Sequence, residues 1–374
     1  TYLKVRGSYT EVGNSYGRFM TTVTYPYDEQ TQNWTSTSSY PNTKLKPERT
    51  KSWEVGLDAR ILNDISLNLT YYRSNTYNQT FYADLSLSSG YSNIPIQSGN
   101  IMNEGIEMAL GYNKQWKDFS FNTNYTLTWN KNRVKRLADG VYNYATGQSI
   151  QMPELSPLTY GHTDARLILR VGGSMGDVYG QRLLKRDLNG YILNEEGVGL
   201  TMENKETYLG SILPKMNMGW SLGFGYKGVN LGMTFTGRFG GIVISETQSV
   251  LDAAGVSKVS ADVRDAGGVQ INQGKVSAQT YYQAIQGTAA YYTYSATNVR
   301  LGELSLSYTL PKKWFDNKVG MTVGLVGKNL WMIYCKAPFD PELTTSAASN
   351  FYQGFDAYML PSTRNFGFNI KFQF

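Results

Sequence analysis

The sequence is poor in the residues that build disulfides and metal centres. It contains one cysteine, Cys335, and one histidine, His162. A disulfide within the chain is therefore impossible, and zinc sites or Cys–His dyads, which need several such side chains, are close to excluded. A single histidine is also a poor basis for a Ser-His-Asp set. We predict that neither residue has a chemical role, that the protein is not an enzyme, and that it uses no metal or cofactor.

Charge and long apolar runs are scarce as well. Charged residues make up 17% of the chain, against roughly a quarter in soluble globular domains. The net charge of +6 is spread along the chain without a Lys/Arg run, so we predict no nucleic-acid partner. No apolar run approaches the roughly 20 residues of a membrane helix. No signal peptide opens the chain, and the strand-like start "TYLKVRGSYT" leads us to expect that an N-terminal part of a longer protein precedes it.

Aromatic residues and glycine are abundant instead, and they alternate. Aromatics make up 14% of the chain, with 29 tyrosines and 38 glycines. In "NMGWSLGFGYK" (217–227) every second residue is bulky and apolar, and those between are small or polar. This period of two predicts a strand with one apolar face.

The same alternation recurs along the chain. It is found in the segments 53–61, 65–71, 106–112, 119–129, 229–236, 304–310, 319–325 and 365–374. No comparable stretch has apolar residues at helical spacing, so we predict an all-β protein. We count about twelve strands, several of them long enough to meet the roughly 9–11 residues that span a bilayer.

The connections between these strands alternate in length. Tight turns are predicted at Asn63-Asp64, at Lys117-Asp118, near Gly228 and at 311–318, whereas long polar segments separate the resulting hairpins. A soluble sandwich has no reason to place its short turns at one end. Up-and-down outer-membrane barrels do, because short turns face the periplasm and long loops face outward. We therefore predict a transmembrane, antiparallel, up-and-down β-barrel located as a multi-pass protein in the bacterial outer membrane and surrounded by its lipid.

The last strand, "NFGFNIKFQF", ends on an aromatic residue in register with the apolar set. In a closed barrel the final strand must be paired, and aromatics favour the membrane interface. The apolar set of this strand resembles the C-terminal signal that the barrel-assembly machinery reads. That set is Phe366, Phe368, Ile370, Phe372 and Phe374.

Several stretches resemble the C-terminal barrel region of the SusC/RagA family of TonB-dependent outer-membrane transporters, found in Bacteroidota. They are "LKPERTKSWEVGLDARILNDISLNLTYYRSNTYNQ" (45–79), "NIMNEGIEMALGY" (100–112), "FNTNYTLTWNKNRV" (121–134), "NVRLGELSLSYTLPKKW" (298–314), "VGLVGKNLWMIYCKAPFDPE" (323–342) and "GFDAYMLPSTRNFGFNIKFQF" (354–374). The loops at 132–161 and 247–290 carry no such resemblance.

The resemblance implies a plugged barrel of about 22 strands, of which residues 1–374 would form the C-terminal portion. The plug domain, the TonB box and the N-terminal strands would then lie upstream of this chain. It further implies import of nutrient oligosaccharides or peptides together with a SusD-like surface lipoprotein, driven by TonB–ExbB–ExbD through the upstream part. The resemblance does not carry a particular substrate.

Two motifs suggest other chemistry but fit it poorly. "GFGYKG" (223–228) matches G-x-G-x-x-G, yet a strand follows it where a pyrophosphate site needs a helix N-terminus. "KRDLNGYILNEE" (185–196) offers Asp187 and Asn189 as cation ligands, but Gly190 comes one position early for a calcium loop and Tyr191 takes a ligand position. We expect a hairpin turn in the first motif and a surface turn in the second, and leave cation binding at 185–196 open.

Aromatic residues crowd the segments predicted to be extracellular. Their faces can stack on sugars and peptides while tyrosine hydroxyls form hydrogen bonds. The candidate substrate-binding residues are Trp34, Tyr40, Tyr281, Tyr282, Tyr291, Tyr292, Tyr352 and Tyr358. An interface belt, packing between loops, or a seat for the lipoprotein would explain the same residues. Asp340 and Glu342 in "FDPE" are expected to organise a loop.

Two other functions remain open at this point. A passive outer-membrane porin, complete in this chain, would conduct ions without an energy source. A soluble or surface-anchored carbohydrate-binding β protein would partition into the aqueous fraction. We favour active import, with the porin as the alternative.

Overall fold

The computed structural model describes residues 1–35, 37–97, 99–137, 141–143, 148–150, 154–196, 199–316, 318–343, 345–346 and 350–374. Its main element is one antiparallel sheet of ten strands, each paired with its neighbour in the following order. The strands are β1 (Tyr2–Asn14), β2 (Glu48–Ile61), β3 (Ile65–Tyr77), β4 (Asn100–Trp116), β5 (Phe119–Arg136), β6 (Met216–Tyr226), β7 (Val229–Phe239), β8 (Asn298–Leu310), β9 (Gly320–Cys335) and β10 (Asn365–Gln373).

The alternating sequence segments and the strands of this sheet coincide. Every segment with period two coincides, to within one residue at its ends, with one of the ten strands, and the strand-like start of the chain is β1. The sheet has ten strands, which is fewer than the count of about twelve that the sequence suggested.

Short and long connections lie at opposite ends of the sheet. The short ones are 62–64, 117–118, 227–228 and 311–319, and the long ones are 15–47, 78–99, 137–215, 240–297 and 336–364. Lys227 and Gly228 have φ values of 45° and 89°, which is the left-handed pair that a type I′ hairpin turn needs. The "GFGYKG" motif is therefore a hairpin turn, as the sequence predicted.

The two faces of the sheet differ in chemistry, because opposed residues of an antiparallel pair point to the same side. One row across the apolar face reads Leu67, Leu110, Tyr125, Trp220, Phe235. Large side chains of the apolar face stay accessible: Trp220 is 42% exposed, Phe368 77% and Phe372 53%. These side chains therefore do not fill a dry interior.

Polar side chains and glycines occupy the opposite face, where they bond across the strands. The Asn130 amide donates to the Tyr72 hydroxyl at 2.6 Å, and the Asn132 amide donates to Asn103 at 2.8 Å. Ser221 and Thr234 pair at 3.3 Å. This face can therefore line a hydrated space, while the other suits hydrocarbon.

The long connections contain short elements. The strands are Tyr27–Asp28, Asn33–Trp34, Thr80–Asp84, Asn93–Gln97, Val141–Asn143, Gln148–Ile150, Glu154–Thr159, Arg166–Arg170, Asp177–Leu184, Asn194–Glu195, Gly199–Leu200, Met202–Ser211, Ile242–Ser245, Val269–Ile271, Gly274–Val276, Thr293–Ser295 and Phe355–Asp356. The α-helices are α1 (Glu246–Ala253), α2 (Lys258–Asp265) and α3 (Ala278–Ile285), and 3₁₀ turns cover Leu87–Ser89, Ala289–Tyr291, Lys312–Phe315 and Asn350–Gly354. In the part of the chain that is described, no helix has the length and hydropathy to cross a membrane.

The alternating pattern indicated none of the three helices, which lie within the long connections and leave the all-β fold class unchanged. Each is only eight residues long, too short for a clear apolar stripe, and each begins after a serine cap. The missed signal was the serine N-cap; at α1 the Ser245 hydroxyl accepts the Gln248 N–H at 2.9 Å.

Candidate functional site

The buried core lies among the long connections and at the strand ends that adjoin them. A four-stranded sheet (154–159, 166–170, 177–184 and 202–211) and a three-stranded sheet (242–245, 293–295 and 355–356) enclose one cluster. Tyr160 is fully buried there and donates its hydroxyl to the Phe351 carbonyl at 2.7 Å. The connections therefore form a packed layer at one end of the sheet, and the candidate binding residues belong to it.

Four of the eight predicted binding aromatics pack together. Tyr281, Tyr282, Tyr291 and Tyr292 belong to, or pack against, a cluster formed by α3 and the hairpin at 269–276. Tyr282 is 5% exposed and Tyr292 2%. Burial raises the pKa of Tyr281 to about 12 and that of Tyr292 further. The Tyr291 hydroxyl accepts the Leu184 N–H at 3.0 Å.

Burial at Tyr282 and Tyr292 favours packing between loops over contact with a ligand. The Tyr292 hydroxyl has no hydrogen-bond partner among the described residues although it is inaccessible. The sequence could not separate this cluster from a binding platform, because both are rich in tyrosine. A ligand-binding role for these four residues stays a prediction.

Tyr40 and Tyr352 are also partly packed. Tyr40 meets Tyr91 edge-on at 5.0 Å, and Tyr352 lies 6.1 Å from Tyr160. Tyr358 is 60% exposed, and its hydroxyl donates to the Glu246 carboxylate at 3.3 Å. Of these three residues, Tyr358 is the most exposed to solvent.

Trp34 presents the most open aromatic surface of the set. It is 71% exposed and lies 5.1 Å from the ring of Tyr27, which is 49% exposed. The two rings are held opposite each other by the hairpin Tyr27–Asp28/Asn33–Trp34. Tyr27 was missed from the sequence, where the seven-residue spacing gave no sign that a hairpin joins the two rings.

A buried ion cluster fixes the segment after β9. Arg300 on β8 donates to both carboxylate oxygens of Asp340, at 2.8 and 2.9 Å, and lies 3.3 Å from Glu342. The side chains of Arg300 and Asp340 are 11% and 8% exposed. Burial raises the pKa of Asp340, but the Arg300 hydrogen bond and charge outweigh this and leave it below its usual value. The expectation that "FDPE" organises a loop agrees with this geometry.

The segment 185–196 is a turn held by Asp187. One oxygen of its carboxylate accepts the Asn189 and Tyr191 N–H groups, both at 2.9 Å, and Gly190 takes a φ of 86°. In the described residues, no three His, Cys, Asp or Glu side chains are grouped as a metal ion would require. His162 is exposed; the Cys335 thiol donates to the Ala337 carbonyl at 3.4 Å.

The C-terminal strand places its apolar set where the sequence predicted. Phe368 lies opposite Leu325, Ile370 opposite Val323 and Phe372 opposite Met321. The exposed fractions are 79% for Phe366, 77% for Phe368, 49% for Ile370, 53% for Phe372 and 96% for Phe374. Whether the barrel-assembly machinery reads this set stays a prediction.

A ten-stranded meander with an apolar outer face, a polar inner face and all long loops at one end defines an outer-membrane β-barrel protein. Comparison with known proteins gives the family. Residues 1–330 match the family described as TonB dependent receptor-like, beta-barrel, and the chain belongs to it. The predicted fold class and outer-membrane location are thereby confirmed.

Individual relatives agree with the family assignment. TonB-dependent receptor P3 of Formosa agariphila is 25% identical over 410 residues, an alignment that covers 100% of this chain and 39% of the relative. TonB-dependent receptor P39 of the same organism is 22% identical, and the alignment covers 99% of this chain and 40% of the relative. Among solved structures, the RagAB peptide importer in its closed-closed state aligns with a TM-score of 0.69 at 18% identity, covering 100% of this chain and 40% of that one. The fold thus matches that of RagAB, in line with the SusC/RagA resemblance, and the chain spans about two fifths of the length of these relatives.

Proposed function

We propose that this chain is part of a TonB-dependent importer of nutrient oligosaccharides or peptides in the outer membrane. The observation that carries the proposal is the two-faced ten-stranded sheet, together with the family match over residues 1–330. A polar inner face offers a route for hydrated solutes, and the packed layer of long connections offers a surface for their capture. The relatives are named as receptors, which also supports a role in uptake rather than catalysis.

We also propose that residues 1–374 form the C-terminal portion of a larger barrel that holds a plug. Support comes from the two edge strands, because among the described residues β1 pairs with β2 alone and β10 with β9 alone, and both strands are exposed. Val5 is 71% exposed and Phe366 79%. Uncovered edges of this kind are not stable in a bilayer, where each backbone group needs a partner. Additional strands of the full-length protein would pair with them.

The proposed partners follow from the same assignment to TonB-dependent import. A SusD-like lipoprotein would contact the long connections, and TonB–ExbB–ExbD would act through the part of the protein outside this chain. The RagAB structures, described as those of a peptide importer, make a peptide cargo as reasonable as an oligosaccharide. The exposed Tyr27–Trp34 pair suits either, since aromatic faces stack on sugar rings and on peptide groups.

Uptake by cells that express the full-length gene product tests the proposal. Radiolabelled oligosaccharide and peptide pools would be offered to cells with and without functional TonB. Import requires TonB if the proposal is right. Equal uptake in both strains, together with steady ion conductance of the purified protein in planar bilayers, would instead establish the passive porin.

A further inference from the structure

A gap separates β5 from β6 at the end of the sheet that bears the long connections. The two strands pair up to Trp129, opposite Met216. Beyond this pair β5 continues to Arg136 without β6 beside it. A cavity of ≈ 660 Å³ occupies the gap, and this volume is within the range of pockets that hold small ligands.

Polar side chains of the sheet form one wall of this cavity. Successive side chains of a strand point to opposite faces, so Asn130 and Asn132 lie on the polar face with Thr128. Lys215 directly precedes Met216 of the apolar face and therefore belongs to the polar face as well. Among the described residues, the amide oxygen of Asn130 and the Lys215 ammonium have no hydrogen-bond or ion-pair partner.

Two further basic residues adjoin the cavity from the other side of the sheet. Lys131 and Arg133 alternate with the two asparagines, so their side chains are directed to the apolar face. The Lys131 ammonium is 3.7 Å from the Glu104 carboxylate on that face. The charged groups left to the cavity are therefore Lys215 and the carboxylate of Asp177.

The edge of β5 also presents backbone groups to the cavity. The Asn130 N–H donates to the Lys215 carbonyl at 3.1 Å, and the Val134 N–H donates to the Gly173 carbonyl at 2.8 Å. Alternate residues of a strand direct their backbone groups to the same side, so the N–H and C=O of Asn132 face the cavity too. Within the described ranges, neither group has a hydrogen-bond partner outside the β4–β5 ladder.

The packed layer of long connections supplies the facing wall. The Asp177 carboxylate is 6% exposed, and it accepts the Ser174 N–H at 2.8 Å and the Tyr208 hydroxyl at 3.2 Å. A Cβ atom at Gly173 would lie 2.6 Å from Asp177 Oδ2, so glycine is what leaves room for the carboxylate. Tyr208 itself is 56% exposed and lines the cavity. An aromatic side chain thus stands opposite the amides and the ammonium of the sheet.

We propose that this cavity binds one sugar unit of a neutral oligosaccharide. A hydroxyl is both a donor and an acceptor, and it therefore suits a wall where the donors of Lys215 and Asn132 stand among carbonyl and carboxylate oxygens. The tyrosine ring adds an apolar surface of the kind that stacks on a sugar. Lys215 and Asp177 balance each other in charge, so neither an acidic nor a basic cargo is favoured. The inference rests on the proposed import and narrows its two cargo classes to one.

Binding by the full-length protein, purified in mild detergent, tests this site. The probes are a printed array of neutral and acidic oligosaccharides and a tryptic digest of casein. We expect binding to neutral oligosaccharides, the tightest of which is then titrated by calorimetry. Tyr208→Ala/Lys215→Gln should weaken its binding at least about tenfold, because a stacking surface and a charged donor are both lost. Tyr208→Phe keeps the ring and should stay within about threefold of the wild type.

A matched variant makes the result specific. Tyr191→Ala/Lys205→Gln removes the same two types of side chain from exposed positions elsewhere in the long connections, and it should bind like the wild type. Binding confined to acidic oligosaccharides or to peptides, no binding to the array, or an equal loss in the two double variants would overturn the proposal.

Uptake assays separate this site from the import proposal. Uptake that requires TonB and is unchanged in Tyr208→Ala/Lys215→Gln would refute the site and leave import standing. Uptake that is equal with and without TonB would refute import, whatever the array shows.

Discussion

Breaking the Arg300–Asp340 pair should release the segment after β9 from the sheet. The pair is bidentate, at 2.8 and 2.9 Å, and both side chains are about nine-tenths buried. Removing one partner of a buried pair leaves an uncompensated charge and costs about 3–5 kcal/mol. Asp340→Ala should therefore cost about 3 kcal/mol, near the lower limit because Glu342 remains 3.3 Å from Arg300.

Hydrogen exchange of the full-length protein in detergent measures this cost locally. A loss of about 3 kcal/mol accelerates exchange of amides in 336–343 by about two orders of magnitude where local opening limits exchange. The double variant Arg300→Met/Asp340→Leu should recover a large part of the loss, because no charge stays buried. Single and double effects that simply add, or a single-variant effect below about 0.5 kcal/mol, would show that the pair does not hold this segment.

The pH dependence of the same pair has a defined sign. The pKa of folded Asp340 is lowered by Arg300 despite its burial, so its contribution is fully present above the unfolded value of about 3.9. The contribution is then lost as the pH falls through the lower pKa of the folded state. Protection of 336–343 should consequently stay constant from neutral pH down to about pH 4 and decline below it.

Three further predictions concern the packed layer. Burial raises the pKa of Asp177, so the free energy of unfolding should decrease as the pH rises from about 4 through that raised pKa. Asp177→Asn should abolish this pH dependence, which thermal unfolding at a series of pH values would measure. The same pH dependence in the variant as in the wild type would refute the prediction. Tyr292→Phe should be neutral or stabilising by up to about 1–3 kcal/mol, because the hydroxyl is buried without a partner among the described residues. Tyr292→Ala should cost about 3–5 kcal/mol of stability. A clear loss of stability in the Phe variant would contradict this prediction. Trp34→Ala should weaken ligand binding about threefold to tenfold and leave the unfolding temperature unchanged. Titration calorimetry would measure the binding, with Tyr292→Phe as the control variant.

The sheet could be predicted well from the sequence because the two faces of each strand meet different surroundings, one apolar and the other polar. Alternation such as Trp220, Leu222 and Phe224 against Ser221 and Gly223 follows directly from that condition. The turn chemistry was equally local: Lys227 and Gly228 form the hairpin where the pattern breaks.

The connections were predicted less well, because their structure depends on contacts distant in sequence. The Tyr160 hydroxyl donates a hydrogen bond to the Phe351 carbonyl, and Arg300 forms an ion pair with Asp340. No local sequence pattern predicts either contact. Tyr282 and Tyr292 are as polar and aromatic in sequence as Trp34 and Tyr358, yet the first two are buried and the last two exposed. Residue type alone could not separate packing from ligand capture.

Site-directed spin labelling tests the central claim, that the apolar face meets lipid and the polar face meets water, most directly. In a Cys335→Ser background of the full-length protein, single cysteines from 304 to 309 on β8 and from 366 to 371 on β10 would be labelled in lipid bilayers. We expect high collision rates with oxygen at 304, 306, 308, 366, 368 and 370, and high rates with a water-soluble nickel complex at the positions between them. Equal accessibility of both sets, or a reversed alternation, would contradict the account.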